Sequence, residues 1–171
     1  MDALKSLRLI LEPIDLTTAS NLLNETGKYS NPLYIHNENE FPSNALRAFL
    51  PIYIELLEND MTMLGYGPWI LRNKTNRMII GEIGLRMESQ DTIVLDIGYQ
   101  IISEFRNQGF ATEAVSVICD WAFTKGVREL NAYCDLENKA SQKVLIKNNF
   151  VIVSVKTDLI FFKKTCSNLN P

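Results

Sequence analysis

The run Asp96-Ile97-Gly98-Tyr99-Gln100-Ile101-Ile102-Ser103-Glu104-Phe105-Arg106-Asn107-Gln108-Gly109-Phe110-Ala111-Thr112-Glu113-Ala114 decides the fold. Its first half reads as a strand, because Ile93, Leu95, Ile97, Tyr99 and Ile101 alternate with other residues at period two. Its second half opens an amphipathic helix, with Ala111, Ala114, Val115, Ile118 and Ala122 at three- and four-residue spacing. Between them lies Arg106-Asn107-Gln108-Gly109-Phe110-Ala111. A helix start has backbone N–H groups without intrahelical partners and carries the positive end of the helix dipole. The junction is therefore expected to be an anion cradle, and a diphosphate is its natural guest.

Outward from this centre, Leu7 to Glu12 read as a first strand ended by Pro13, and Asp15 to Glu25 as a short helix. Residues 28–42, rich in Asn and Pro and holding His36, the only histidine, read as a loop. Ser43 is placed to cap a helix with the apolar stripe Leu46, Phe49, Leu50, Tyr53 and Leu57, which Pro51 should kink or split. Met61 and Met63 read as core filler. Trp69–Arg72 and Met78–Arg86 form an expected hairpin, and a looser turn at Ser89-Gln90-Asp91 leads into the central strand. After the central helix, Gly126 marks a stop and Leu130–Cys134 a further strand. Asn138 is placed to cap a helix over Lys139–Asn148, with Asn149 in a left-handed position. Phe150–Lys156 and Leu159–Thr165 close the chain as a hairpin. Strands followed by strand–helix–strand–helix–strand–strand predict an α+β (mixed α/β) sheet with helices packed on it.

The spacing Arg-x-x-Gly-x-Ala after a strand and before a helix resembles the phosphate-binding signature of the GNAT superfamily of acetyl-CoA-dependent N-acetyltransferases. Ile97-Gly98-Tyr99, Ala111-Thr112-Glu113-Ala114 and Trp121-Ala122-Phe123 resemble the branch with the Rim-type ribosomal-protein N-terminal acetyltransferases. A second block, Glu137-Asn138-Lys139-Ala140-Ser141 followed by Val144-Leu145-Ile146-Lys147-Asn148-Asn149-Phe150, is similar to the family's Asn-x-x-Ser and the Leu-Glu-Lys-Leu-Gly-Phe after it. The resemblance is strong over residues 66–165. It implies a mostly antiparallel central sheet, split at a V-shaped wedge that admits pantetheine, with helices on both faces.

Composition sets wider bounds. A chain of 171 residues is most economically one domain, 1–171. Its net charge of −3, without a Lys/Arg run, argues against a nucleic-acid partner and is compatible with a cationic substrate. No secretory signal or membrane-spanning run is evident, so a cytoplasmic location is expected. Cys119, Cys134 and Cys166, odd in number and without Cys-x-x-Cys spacing, read as free thiols. No His/Cys/Asp cluster has metal-ligand spacing, so no metal is expected.

What the resemblance implies can be carried onto residues. Backbone N–H groups of Arg106, Asn107, Gln108, Gly109, Phe110 and Ala111 would face the acetyl-CoA pyrophosphate, with Thr112 as an extra donor. The backbone of Tyr99, Ile101 and Ile102 would pair with the pantetheine amides. Asp96, where Rim-type enzymes place Glu, is the general-base candidate. Ser141 would protonate the departing thiolate, with Tyr133 a weaker alternative, and Asn138 would cap its helix, bond the pantetheine carbonyl, or both. An acyl-enzyme on Cys134 has no neighbouring His or Lys to support it. The acceptor is a primary amine on a protein N-terminus or a small molecule. An N-terminal amine, with a pKa of about 7.7–8.0, is the easier to deprotonate. The short turn at Lys156-Thr157-Asp158 departs from the longer Rim-type loop and would leave the site open. A non-catalytic acyl-CoA-binding regulator is the alternative, and monomer and homodimer are both open.

Overall fold

The computed structural model describes residues 1–24, 40–87 and 93–166. Eight strands form one sheet: β1 (Leu4–Lys5), β2 (Leu9–Pro13), β3 (Pro68–Asn73), β4 (Ile79–Met87), β5 (Val94–Ile101), β6 (Glu129–Asp135), β7 (Val151–Lys156) and β8 (Leu159–Thr165). Their order is β1-β2-β3-β4-β5-β6-β8-β7, and every neighbouring pair is antiparallel except β5–β6. Four helices accompany them: α1 (Leu16–Asn24), α2 (Asn44–Asn59), α3 (Phe110–Thr124) and α4 (Lys139–Lys147). This is the mixed α/β architecture that the sequence pattern predicts. Residues 25–39, with His36, and residues 88–92, where a turn at Ser89-Gln90-Asp91 is expected, lie outside the described residues.

Alternation along the strands builds two cores. On one face, Trp69, Leu71, Ile83, Leu85 and Leu95 pack with Ala114, Ile118 and Ala122 of α3. On the other, Ile70 and Ile79 pack with Ala19 and Leu22 of α1 and with Leu46, Leu50, Tyr53 and Leu57 of α2. Successive side chains point to opposite faces, so one strand serves both layers.

Three local expectations are revised. The strand expected over Leu7–Glu12 begins at Leu9, behind a short unexpected strand at Leu4–Lys5, and Pro13 pairs with Trp69 as the last residue of β2. Pro51 neither splits α2 nor ends it: the helix runs 16 residues. Pro51 faces solvent, while Leu46, Leu50, Tyr53 and Leu57 are buried on both sides of it and anchor both halves of the helix on the core. Of the two methionines, Met63 packs on the core and Met61 is exposed. Asn149 has φ 63, as its position after α4 requires.

The wedge follows from register. The parallel β5–β6 pairing covers only Val94–Asp96 against Glu129–Asn131. Beyond Asp96 the two strands diverge, leaving one edge of β5 without a strand partner. On its other edge, β5 stays paired with β4 from Leu95 to Ile101.

Candidate active site

The cradle is built by two left-handed residues. After β5, a single 3₁₀ turn at Ser103–Phe105 closes with the Arg106 N–H donating to Ser103 O at 3.2 Å. Asn107 then has φ 61 and Gly109 φ 83, which turns successive N–H groups into a concave nest at the start of α3. Among the described residues, the N–H groups of 107 to 112 have no acceptor. The cradle is therefore shifted by one from the expectation: the Arg106 N–H is engaged by its own turn, and Thr112 joins through its backbone.

The N-terminal segment braces this loop. Arg8 donates through Nη1 to Gln108 O at 2.9 Å and through Nε to Glu113 Oε2 at 2.7 Å, and lies over the Phe110 ring at 4.4 Å. Burial would raise the Glu113 carboxyl, but hydrogen bonds from Ser6 and Arg8 outweigh it and hold the group below its usual range. From the other side, Glu40 accepts from Ser103 N at 2.7 Å and lies 3.7 Å from Arg106. No local sequence pattern pointed to either brace.

A groove of about 620 Å³ leads from the cradle into the wedge. Its lining includes Tyr99, Ile101, Arg106, Asn107, Gly109, Phe110, Ala111, Thr112, Asn138 and Ser141. One residue assigned with them lies elsewhere, and another keeps only its N–H at the nest. Ile102 is fully buried in the α1–α2 core and its N–H donates to Ile80 O at 3.0 Å. Gln108 turns its side chain onto Glu104 O at 3.0 Å. Lys143 and Lys147, one turn apart on α4, add positive charge to the lining and were missed. Their only sequence signal is the four-residue spacing.

Across the wedge, α4 meets β5. Asn138 Oδ1 accepts from Ser141 N at 3.0 Å, which caps α4 and fixes the Ser141 hydroxyl 2.8 Å from Tyr99 Oη. Burial pushes the Tyr99 phenol up to about 12, so it keeps its proton at any working pH. The Cys134 thiol is also pushed up by burial, the reverse of an activated nucleophile. Tyr133, one residue before it on β6, points to the opposite face and accepts from Arg86 Nη2 at 3.1 Å.

That opposite face holds a second cavity, of about 310 Å³, between the sheet and the start of α2. Gly84 and Gly98 face each other across β4 and β5 and form its floor. A Cβ added at Gly98 would meet nothing within 4 Å, so the missing side chain is open space. Asp96 lies at one end, 6% exposed, with Oδ2 3.1 Å from Arg86 Nη2. Oδ1 has no hydrogen-bond partner among the described residues. Asp96 and Ser141 thus stand on opposite faces of the sheet, and the cavity and the groove share Tyr99 and Gln100 in their linings.

The described residues thus bring together a helix-start nest of unengaged N–H groups, an opened strand edge and a cavity with a carboxylate in its wall. Residues 8–151 match the acetyltransferase (GNAT) domain family, and the chain belongs to it: it is an N-acetyltransferase. It is 26% identical over 153 residues to the uncharacterized N-acetyltransferase YjdG of Bacillus subtilis (strain 168), covering 89% of this chain and 91% of that one. Among solved structures, the ribosomal-protein-S5-alanine acetyltransferase of Vibrio fischeri superposes with a TM-score of 0.68 at 19% identity, over the full length of both chains. RimL, a ribosomal L7/L12 alpha-N-protein acetyltransferase in complex with coenzyme A, superposes with a TM-score of 0.67 at 15% identity, covering 96% of this chain and 98% of that one. At these identities the two structures speak for the fold.

Proposed function

We propose that this chain, as one cytoplasmic domain, moves the acetyl group of acetyl-CoA onto a primary amine by direct attack in a ternary complex. The observation that carries this reading is the run of six N–H groups at 107–112, unengaged among the described residues, at the head of a groove that reaches Tyr99 and Ser141. Unpaired N–H donors at a helix start fit a diphosphate, and Lys143 and Lys147 fit its remaining charge. Bound acetyl-CoA supplies the thioester that the amine attacks. The unpaired edge of β5 beyond Asp96 suits the amides of an extended arm, as an added strand would. Asp96 Oδ1 is the free carboxylate oxygen for the amine proton. The Tyr99–Ser141 hydroxyl pair holds a proton on the other side of the wedge, where a thiolate would leave.

The test is thiol release from acetyl-CoA over a panel of polyamines, an aminoglycoside, and Ser- and Ala-starting peptides. Amine-dependent release with one class is expected and names the acceptor. Tight acetyl-CoA binding with no release for any amine would reject the transfer reading and leave a binding protein. The hydroxyl pair has its own readout. Tyr99→Phe removes one buried hydrogen bond of about 1 kcal/mol. It is expected to lower kcat roughly fivefold while leaving the acetyl-CoA Kd within about twofold. A shift in Kd with unchanged kcat would make the phenol a packing group.

A further inference from the structure

Glu82 lies in the same cavity as Asp96, at the other end. It is 8% exposed and sits opposite Gln100 on the β4–β5 ladder, four residues along β4 from Arg86, the partner of Asp96. Four residues of strand span roughly 13 Å. All these side chains stand on the face covered by α2, with Gly84 and Gly98 between them. The cavity is therefore a channel with a carboxylate at each end and a floor without side chains. Leu46 and Phe49 of α2 contribute an apolar wall.

Glu82 is hydrogen-bonded through Ser43. The Ser43 hydroxyl accepts from Leu46 N at 3.0 Å, so its own proton is free to go to Glu82 Oε1. The Ser43 N–H donates to Glu82 Oε2 at 3.2 Å. Both carboxyl oxygens thus accept, which suits the ionised form. Yet no cation forms an ion pair with Glu82 among the described residues. Arg47 acts on it only through space, its Nε donating to Pro42 O at 3.2 Å. Burial pushes the Glu82 carboxyl up, and the Ser43 bonds and Arg47 offset part of that. A buried carboxylate without a paired cation is costly, and the wall of a cavity is where a ligand can supply the charge.

We propose that Glu82 anchors a second, non-reacting ammonium group of the acceptor, making this enzyme selective for amines that carry two cationic nitrogens on an aliphatic spacer. The inference rests on the transfer reading above. Asp96 takes the nitrogen that is acetylated and Glu82 the one that is not. The bland role for Glu82 is to serve the N-terminus of α2 through Ser43, and it predicts no dependence on the acceptor's second charge.

The experiment compares 1,4-diaminobutane and 1,5-diaminopentane with butylamine and pentylamine, in wild type, Glu82→Gln and Ser43→Ala. Wild type is expected to favour the diamines in kcat/KM by roughly 10- to 100-fold, the range of a hydrogen bond to a charged group. Glu82→Gln should erase that preference by raising KM for the diamines, with kcat and the monoamine constants unchanged. Ser43→Ala removes the cap and keeps the charge, so the preference should survive. Equal wild-type rates for monoamines and diamines, or an equal loss on both in Glu82→Gln, would overturn the anchor while leaving acetyl transfer standing. If no amine releases thiol, the transfer reading falls. Calorimetry of 1,4-diaminobutane with the CoA-bound protein then still decides Glu82: binding lost in Glu82→Gln supports it, and absent or unchanged binding overturns it.

Discussion

Gly109→Glu is expected to abolish acetyl-CoA binding, raising Kd by at least roughly a thousandfold. Three effects act together. Gly109 has φ +83, a left-handed conformation that costs an L-residue about 1–2 kcal/mol. Its new Cβ would stand 3.4 Å from Arg8 Nη2, disturbing the side chain that holds Gln108 O and Glu113. Above all, a carboxylate enters a nest of N–H groups whose purpose is to receive an anion. Two like charges 4 Å apart repel by about 4 kcal/mol at an effective dielectric of 20, which alone is roughly three decades in affinity. Asn tolerates the left-handed region, so Gly109→Asn should keep measurable binding and separates the charge from the backbone. Calorimetry of each variant against acetyl-CoA reads the effect, and thermal unfolding shows whether the fold is retained. Wild-type affinity in Gly109→Glu would remove the cradle assignment.

The cradle was legible in the sequence because its determinants are local. A period-two run, a break at Gly109 and a 3.6-period run sit side by side in twenty residues, and Asn138 with Ser141 forms a cap within three. The wedge was expected only from the family resemblance, because where β5 and β6 part depends on a register reached through the α3 crossover, which no local pattern encodes. What was not legible depends on contacts remote in sequence. Arg8 meets Glu113 across 105 residues, and Tyr99 meets Ser141 across 42. Glu82 shows the limit most clearly. The alternation of β4 assigns Ile83 and Leu85 to one face and leaves Glu82, Gly84 and Arg86 on the other. Nothing in that alternation says that α2 covers the second face and closes it into a cavity. The split at Pro51 failed for a related reason: proline's local cost in a helix is real, but the burial of Leu50 and Tyr53 beside it outweighs that cost.

Asp96→Asn should lower kcat for every acceptor by a factor of about 100 or more, the usual contribution of a positioned general base. The substitution is nearly isosteric, and an Asn oxygen can still accept from Arg86 Nη2, now 3.1 Å from Oδ2. Packing around the site should therefore hold, and the half-exposed Arg86 is not left buried and unpaired. What is lost is a basic oxygen facing the cavity. The acetyl-CoA Kd should stay within about twofold, because the cradle at the start of α3 shares no hydrogen bond with Asp96. A rate within threefold of wild type, on the order of 0.6 kcal/mol, would remove Asp96 from the base role. The ion pair with Arg86 makes this a sharp test, since a carboxylate kept only to hold Arg86 against Tyr133 would lose little as Asn. Paired with Glu82→Gln, the result is more informative still. Asp96→Asn acts on kcat whatever the acceptor, whereas Glu82→Gln acts on KM for diamines alone. Two carboxylates on one sheet face, on neighbouring strands and four ladder positions apart, are thereby separated into one that moves a proton and one that reads a charge.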